Sequence, residues 1–218
     1  MKVALIVPEY TANIIRNVAE ENLDNMELDV MVYNNYLKAV EIVEKVQKRY
    51  DAIMFAGIVV YSFVKSHVKE ECIWGYFPLH ESSLSFAILK ALYIKDNIKN
   101  ISIDTYSMES IKEVYDFIGI DFDEVNVMLY DVKADSYSIT EDALKFHKNN
   151  LKNKDNICII TALSDVNKQL NIEKISCHMA IPTKSIIIDS FQNLYLRYTA
   201  KVNTNSRVVA IFIQASEE

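Results

Sequence analysis

The sequence predicts an α/β protein of two lobes, each with a mainly parallel sheet flanked by helices, and a cleft between the lobes. Three observations carry that reading. Strand-sized apolar runs alternate with segments whose apolar residues recur at helical spacing, which is the pattern of parallel strands covered on both faces. The pattern pauses at 95–100 and starts again, so the second half repeats the first. The chain has only three prolines, Pro8, Pro78 and Pro182, and each ends an apolar run just before a helical segment.

The elements follow in order. Residues 2–7 (KVALIV) read as a strand, and Ile14, Ile15, Val18 and Ala19 give the next segment a helical stripe. Residues 28–33 form a second strand, 36–50 a helix striped by Leu37, Val40, Val43 and Val46, and 51–60 (DAIMFAGIVV) a third strand. A fourth, 72–78, leads into a helix over 83–94. After the pause come a strand at 100–106, a helix at 107–119 closed by Gly119, and a strand at 124–132. A helix over 138–153 with Thr140 as N-cap, a strand at 156–163, a short helix at 164–171 and a strand at 174–182 complete the half. A long helix over 183–202 and a last strand near 207–213 end the chain, although Ile186, Ile187 and Ile188 favour strand by propensity. The expected division is 1–96 with 184–218 in one lobe and 97–183 in the other, the long helices near 82–94 and 184–200 crossing between them.

Composition excludes several function classes. With 218 residues, half of them hydrophobic, the chain can bury a sizeable core, and no apolar stretch approaches the length of a membrane span. The opening MKVALIVPEY makes a poor signal peptide, so a cytoplasmic protein without membrane contact is expected. A net charge of −7, with 23 basic against 30 acidic residues, gives no basic face for nucleic acid. The densest basic stretch, 145–156, reads as a solvated helix end and loop. Only three glycines, Gly57, Gly75 and Gly119, are present, so neither a dinucleotide fingerprint nor a P-loop can be written and no cofactor is implied. Cys72, Cys158 and Cys177 read as buried thiols, and His67, His80, His147 and His178 share no ligand-like spacing, so no metal site is expected.

The proline junctions point to the site. In an open parallel sheet, ligands bind where the carboxyl ends of strands lead into helix N-termini. Proline terminates a strand and fixes its exit. Beside the three prolines lie polar residues that can cap helices or face a ligand. The expected ligand contacts are Pro8, Glu9, Tyr10, Gly57, Tyr61, His80, Ser82, Thr183, Lys184 and Ser185, with Lys184 as a charge partner for an anion. Tyr106, Ser107 and Ser164 end strands of the second half and face the same cleft from the other side. No residue is assigned a catalytic role.

The stretches GIDFDEVNVMLYD and NICIITALSDVNKQLNIEKISCHMAIPTKSIIIDSFQNL, with ALIVPEYTANIIRNVAEE and YLKAVEIVEKVQKRYDAIMFAG, resemble the amino-terminal sensor domain of the propionate-catabolism activators, the PrpR-type domain, over about 1–196. The resemblance implies two lobes of periplasmic-binding-protein-like topology in a bacterial transcription regulator. It further implies a small-molecule effector, an anionic metabolite among the candidates, no direct DNA contact by this segment, and a homodimer. One loop departs from that pattern: FAGIVVYSFVKS offers only Gly57, Tyr61 and Ser62 where such domains carry an arginine with paired glycines.

Two other classes compete. A racemase-like enzyme on a similar scaffold needs a reactive cysteine in each lobe, and none of the three cysteines ends a strand where it could serve. A protein-interaction module would use the thirteen tyrosines and nine phenylalanines, among them Tyr195 and Tyr198. A core or lobe-crossing role accounts better for those two.

Overall fold

The structure, a computed structural model, describes residues 1–133, 135–153 and 156–205. The strand expected near 207–213 lies outside the described residues.

The first sheet comprises β1 (Lys2–Pro8), β2 (Glu27–Tyr33), β3 (Ala52–Phe55) and β4 (Ile73–Tyr76) in the order β2-β1-β3-β4. The second comprises β5 (Asn100–Asp104), β6 (Asn126–Tyr130), β7 (Cys158–Thr161) and β8 (His178–Met179) in the order β6-β5-β7-β8. Every described pairing is parallel, with registers such as Leu5↔Val30 and Ile103↔Leu129. The helices are α1 (Glu9–Asn22), α2 (Lys38–Val46), α3 (Ile58–His67), α4 (Glu81–Tyr93), α5 (Met108–Phe117), α6 (Ile139–Asn153), α7 (Ser164–Ile172) and α8 (Lys184–Asn205).

Both sheets are covered on both faces, and the two-residue period of a strand shows how. Ala4 and Ile6 of β1 pack with Val43 of α2 and Phe63 of α3, while Val3, Leu5 and Val7 pack with Ile15 of α1 and Phe191 of α8. In the second sheet Ile101 and Ile103 face α4 and α5, and Ile159 faces Ala143 of α6 and Leu170 of α7. Each fully buried side chain of this size contributes about 1.5–3 kcal/mol of transfer free energy.

Two helices depart from the sequence reading. The run expected as a strand over 51–60 leaves the sheet at Phe55, and Ile58–His67 is helical. β-branched residues favour strand by propensity, but Val60, Phe63 and Val64 bury at i, i+3 and i+4, and that packing decides. The same contest resolves the same way in α8, where Ile186, Ile187, Phe191 and Leu194 are buried. The helix expected over 36–50 is shorter, ending at Val46 with a 3-10 turn over Gln47–Arg49.

α4 follows β4 of the first sheet and precedes β5 of the second, and α8 follows β8 of the second. α4 was grouped with the first lobe, yet it buries Leu84, Ala87, Ile88 and Ala91 in the core of the second sheet. α8 returns to the first, where Ile187, Phe191 and Leu194 pack and Arg197 Nη1 donates to the Trp74 carbonyl at 2.8 Å.

Helix ends repeat one device. α5 closes on Gly119 at φ 76°, with Ile120 N–H bonded to Tyr115 O at 3.0 Å. α4 and α7 close in the same way, but their left-handed positions are held by Lys95 (φ 64°) and Lys174 (φ 59°). α6 starts at Ile139, and the Ser138 hydroxyl bonds the Asp142 carboxylate at 2.5 Å, so Thr140 lies inside the helix rather than at its cap.

Candidate functional site

A cavity of about 90 Å³ lies between the carboxyl edges of the two sheets. That is room for several waters or one small molecule. All three prolines line it. From the first lobe it takes Thr11, Tyr33, Tyr36, the 57–60 turn of α3 and Phe77; from the second, Thr105, Tyr106, Ser164, Asp165 and Met179.

Three hydroxyls define its chemistry. Thr11 Oγ1, Ser83 Oγ and Tyr106 OH are buried without a hydrogen-bond partner, and all three residues line this cavity. Among the described residues the remaining buried side-chain polar atom in that condition is Trp74 Nε1, in the first lobe's core. A buried hydroxyl left unsatisfied costs about 1–3 kcal/mol. Three such groups, carried by α1, α4 and the loop after β5, converge on one space.

Helix termini add donors. α1, α3 and α7 begin at Pro8, Gly57 and Leu163 with no side-chain cap, and the first residues of α3 and α7 line the cavity. By contrast α4 and α5 are capped, His80 accepting from Ser82 N–H at 3.1 Å and Ser107 from Ser110 N–H at 3.1 Å. Uncapped first turns keep free N–H groups and a positive dipole end.

Among the described residues, Asp165 is the only acidic or basic side chain on the cavity wall. Burial pushes its carboxyl above the usual range, while the Tyr36 amide N–H donating to it and the nearby Lys168 pull the other way. Tyr33 and Tyr106 phenols are raised strongly, first by burial and then by the carboxylates of Asp165 and Asp104 respectively. Both present neutral hydroxyls.

The wall on the second lobe is held from beneath. Asp104 is fully buried and accepts from Ala162 N–H at 3.1 Å, from Thr105 Oγ1 at 3.1 Å and from the Thr161 hydroxyl. His147 Nε2 lies 3.0 Å from the other face of this carboxylate, and its Nδ1 lies 2.8 Å from Ser102 Oγ. Thr105 and Ala162 both line the cavity, so one carboxylate ties together the loops after β5 and β7. His147 belongs to the stretch read as solvated helix end and loop, yet it has no exposed surface. Only a helical projection of α6 onto β5 would have revealed it.

The lobes also meet beside the cavity. Tyr36 OH donates to Ser136 O at 2.8 Å and accepts from Ile139 N–H at 3.3 Å, and Lys168 lies 3.7 Å from Glu9 across the opening.

The structure brings together four of the thirteen expected contacts: Pro8, Gly57, Tyr106 and Ser164 line the cavity. The other nine do not. Glu9 and Tyr10 point to solvent on α1, and Tyr61 stacks between Phe55 and Tyr76 and accepts from Lys65 at 3.0 Å. His80 and Ser107 cap helices, and Ser82 lines a separate apolar groove beside Phe86 and Phe117. Thr183, Lys184 and Ser185 open α8 outside the cavity, where Lys184 lies 3.9 Å from Glu21. Thr11, Tyr33, Tyr36, Ser83 and Thr105 were missed. None of the three cysteines lines the cavity, and burial pushes the thiols of Cys72 to about 11 and Cys158 to about 12. Among the described residues, no helix is long and apolar enough to cross a membrane.

This architecture is a two-lobed α/β fold with a shared cavity. No protein-family model matches the chain, and no curated protein does. Among solved structures, an NtrC family transcriptional regulator from Clostridium acetobutylicum aligns with a TM-score of 0.66 and 15% identity, covering 92% of this chain and 98% of that one. At that identity the likeness speaks for the fold alone. The transcription regulator CcpA of Lactococcus lactis aligns at a TM-score of 0.44 and 12% identity over 92% of each chain, too distant to argue from.

Proposed function

We propose that this chain is the small-molecule sensor unit of a bacterial transcription regulator, of the PrpR type, holding its effector between the lobes without catalysis. The observation that carries the reading is the convergence of three buried, unpartnered hydroxyls, Thr11, Ser83 and Tyr106, on one interlobe cavity. A ligand there offers acceptors to those hydroxyls and to the first-turn amides of α3 and α7, and a donor to Asp165. The sequence resemblance supports the regulatory context, and the likeness to the clostridial regulator supports the two-lobed fold that it requires. An acidic effector meets helix N-termini rather than a cationic side chain, since Lys184 lies outside. A racemase-like reading loses its chemistry, because it requires a thiolate from each lobe at the cavity.

The test is a thermal-shift screen of small metabolites, followed by calorimetric titration of the hit. A ligand at about 100 times its dissociation constant stabilises the folded state by about 2.7 kcal/mol. Tyr106→Phe removes an unsatisfied hydroxyl, so the free protein keeps or gains stability while ligand affinity falls about tenfold. Lys184→Ala is the control and binds as the parent does. Parent-like affinity in Tyr106→Phe refutes the assigned site.

A further inference from the structure

Away from the cavity, the second lobe gathers a thiol, an imidazole and a carboxylate that the sequence keeps far apart. Asp96 lies in the turn after α4, Cys158 is the first residue of β7 and His178 the first of β8. Their ligand atoms all lie within 4.8 Å of one another. Cys158 and His178 are buried, and the Asp96 carboxylate is 30% exposed. His178 Nε2 lies 2.6 Å from Asp96 Oδ2, and Ser176 Oγ donates to the same oxygen at 3.4 Å. The backbone of Asp96 is fixed as well, its N–H bonded to Ala91 O at 2.9 Å behind left-handed Lys95.

A His–Asp pair alone is ordinary core chemistry. The thiol beside it completes a sulfur, nitrogen and oxygen donor set, which suits zinc-class cations and not calcium or magnesium. Tetrahedral zinc, with bonds of roughly 2.0–2.3 Å, sets its ligand atoms roughly 3.5 Å apart. To reach that spacing the His178–Asp96 pair opens from 2.6 Å while no other pair has to close from more than 4.8 Å, a movement within reach of the partly exposed Asp96 side chain, whose open side admits a water as fourth ligand.

We propose that Asp96, Cys158 and His178 bind one borderline-soft divalent cation of the zinc class. The metal–sulfur bond forms as the Cys158 thiol gives up its proton to solvent, and His178 Nε2 supplies its lone pair. Three separate elements, the turn after α4 and strands β7 and β8, are then stapled together. Cys177 takes no part, since it packs on the opposite face of the sheet against the cluster of Ala143, Ile159 and Val166.

The experiment titrates cobalt(II) into the chelator-treated full chain under reducing conditions and follows absorbance. The expected result is a near-ultraviolet thiolate-to-cobalt band that saturates at one equivalent and is displaced by zinc. Cys158→Ser abolishes the band, Asp96→Ala weakens cobalt binding tenfold or more, and Cys177→Ser leaves both unchanged. Asp96 is partly exposed, so its variant keeps the test open if the buried cysteine variant fails to fold. A parent protein without the band, or a band that survives in folded Cys158→Ser or disappears in Cys177→Ser, overturns the proposal.

Discussion

Asp165 shows how the cavity shapes a single residue. Burial raises its carboxyl pKa, so the folded state holds the proton more tightly than the unfolded chain does. That group favours folding below its unfolded pKa, and the contribution is lost as pH rises through the folded pKa. Asp165→Asn keeps an acceptor for the Tyr36 amide and removes the ionisation. The variant is therefore expected to have a higher urea midpoint than the parent at about pH 7, the difference vanishing at about pH 3 where both are uncharged. A difference that persists unchanged at low pH contradicts the assignment. At this scale the sequence was only partly legible. Pro8 announced itself because a proline has no N–H for the sheet ladder and so ends a strand. Lys184 and His80 could not be told apart from contacts, because a polar residue at such an exit either caps the helix or faces the cleft, and the difference is one side-chain rotation. Ser83 and Thr11 lie beside the prolines but were not taken as contacts, because at the third residue of a helix only its three-dimensional phase says which way a side chain faces.

Elements were more legible, because periodicity reports burial directly. The alternation of β1 between two cores is readable in the sequence, and so is the stripe of α1 at Ile15, Val18 and Ala19, whereas Ile14 is exposed. α3 was not, since IVVYSFV carries the composition of a strand and the packing of a helix. The helix ends supply a stability test. Lys174 holds a left-handed position that glycine adopts without steric cost, as Gly119 does at the equivalent point of α5. Lys174→Gly relieves strain of about 1–3 kcal/mol and forfeits about 0.5–1 kcal/mol of chain entropy, for a net gain of up to about 2.5 kcal/mol. The urea midpoint then rises with an unchanged slope. A lower midpoint means that Lys174 makes compensating contacts.

For the whole molecule, the repeat of one β/α half by the other foretold two parallel sheets; the structure has them and shows that their strand orders also match. A cleft between the lobes was expected, but the contacts beside it were not, because Tyr36 reaches Ser136 and Ile139, a hundred or more residues away in sequence, which no local pattern encodes. The measurement that tests the central claim most directly is calorimetric titration of the screened ligand into the parent and into Gly57→Leu. Gly57 has extended backbone that any residue adopts, and the nearest atom to an added Cβ is the Phe77 carbonyl oxygen at 4.0 Å. An added Cβ therefore meets no close neighbour, and a leucine side chain at this cavity-lining position takes up space in the shared cavity. The account predicts one ligand per chain for the parent and a loss of binding of at least tenfold in a folded Gly57→Leu; parent-like affinity in that variant contradicts it.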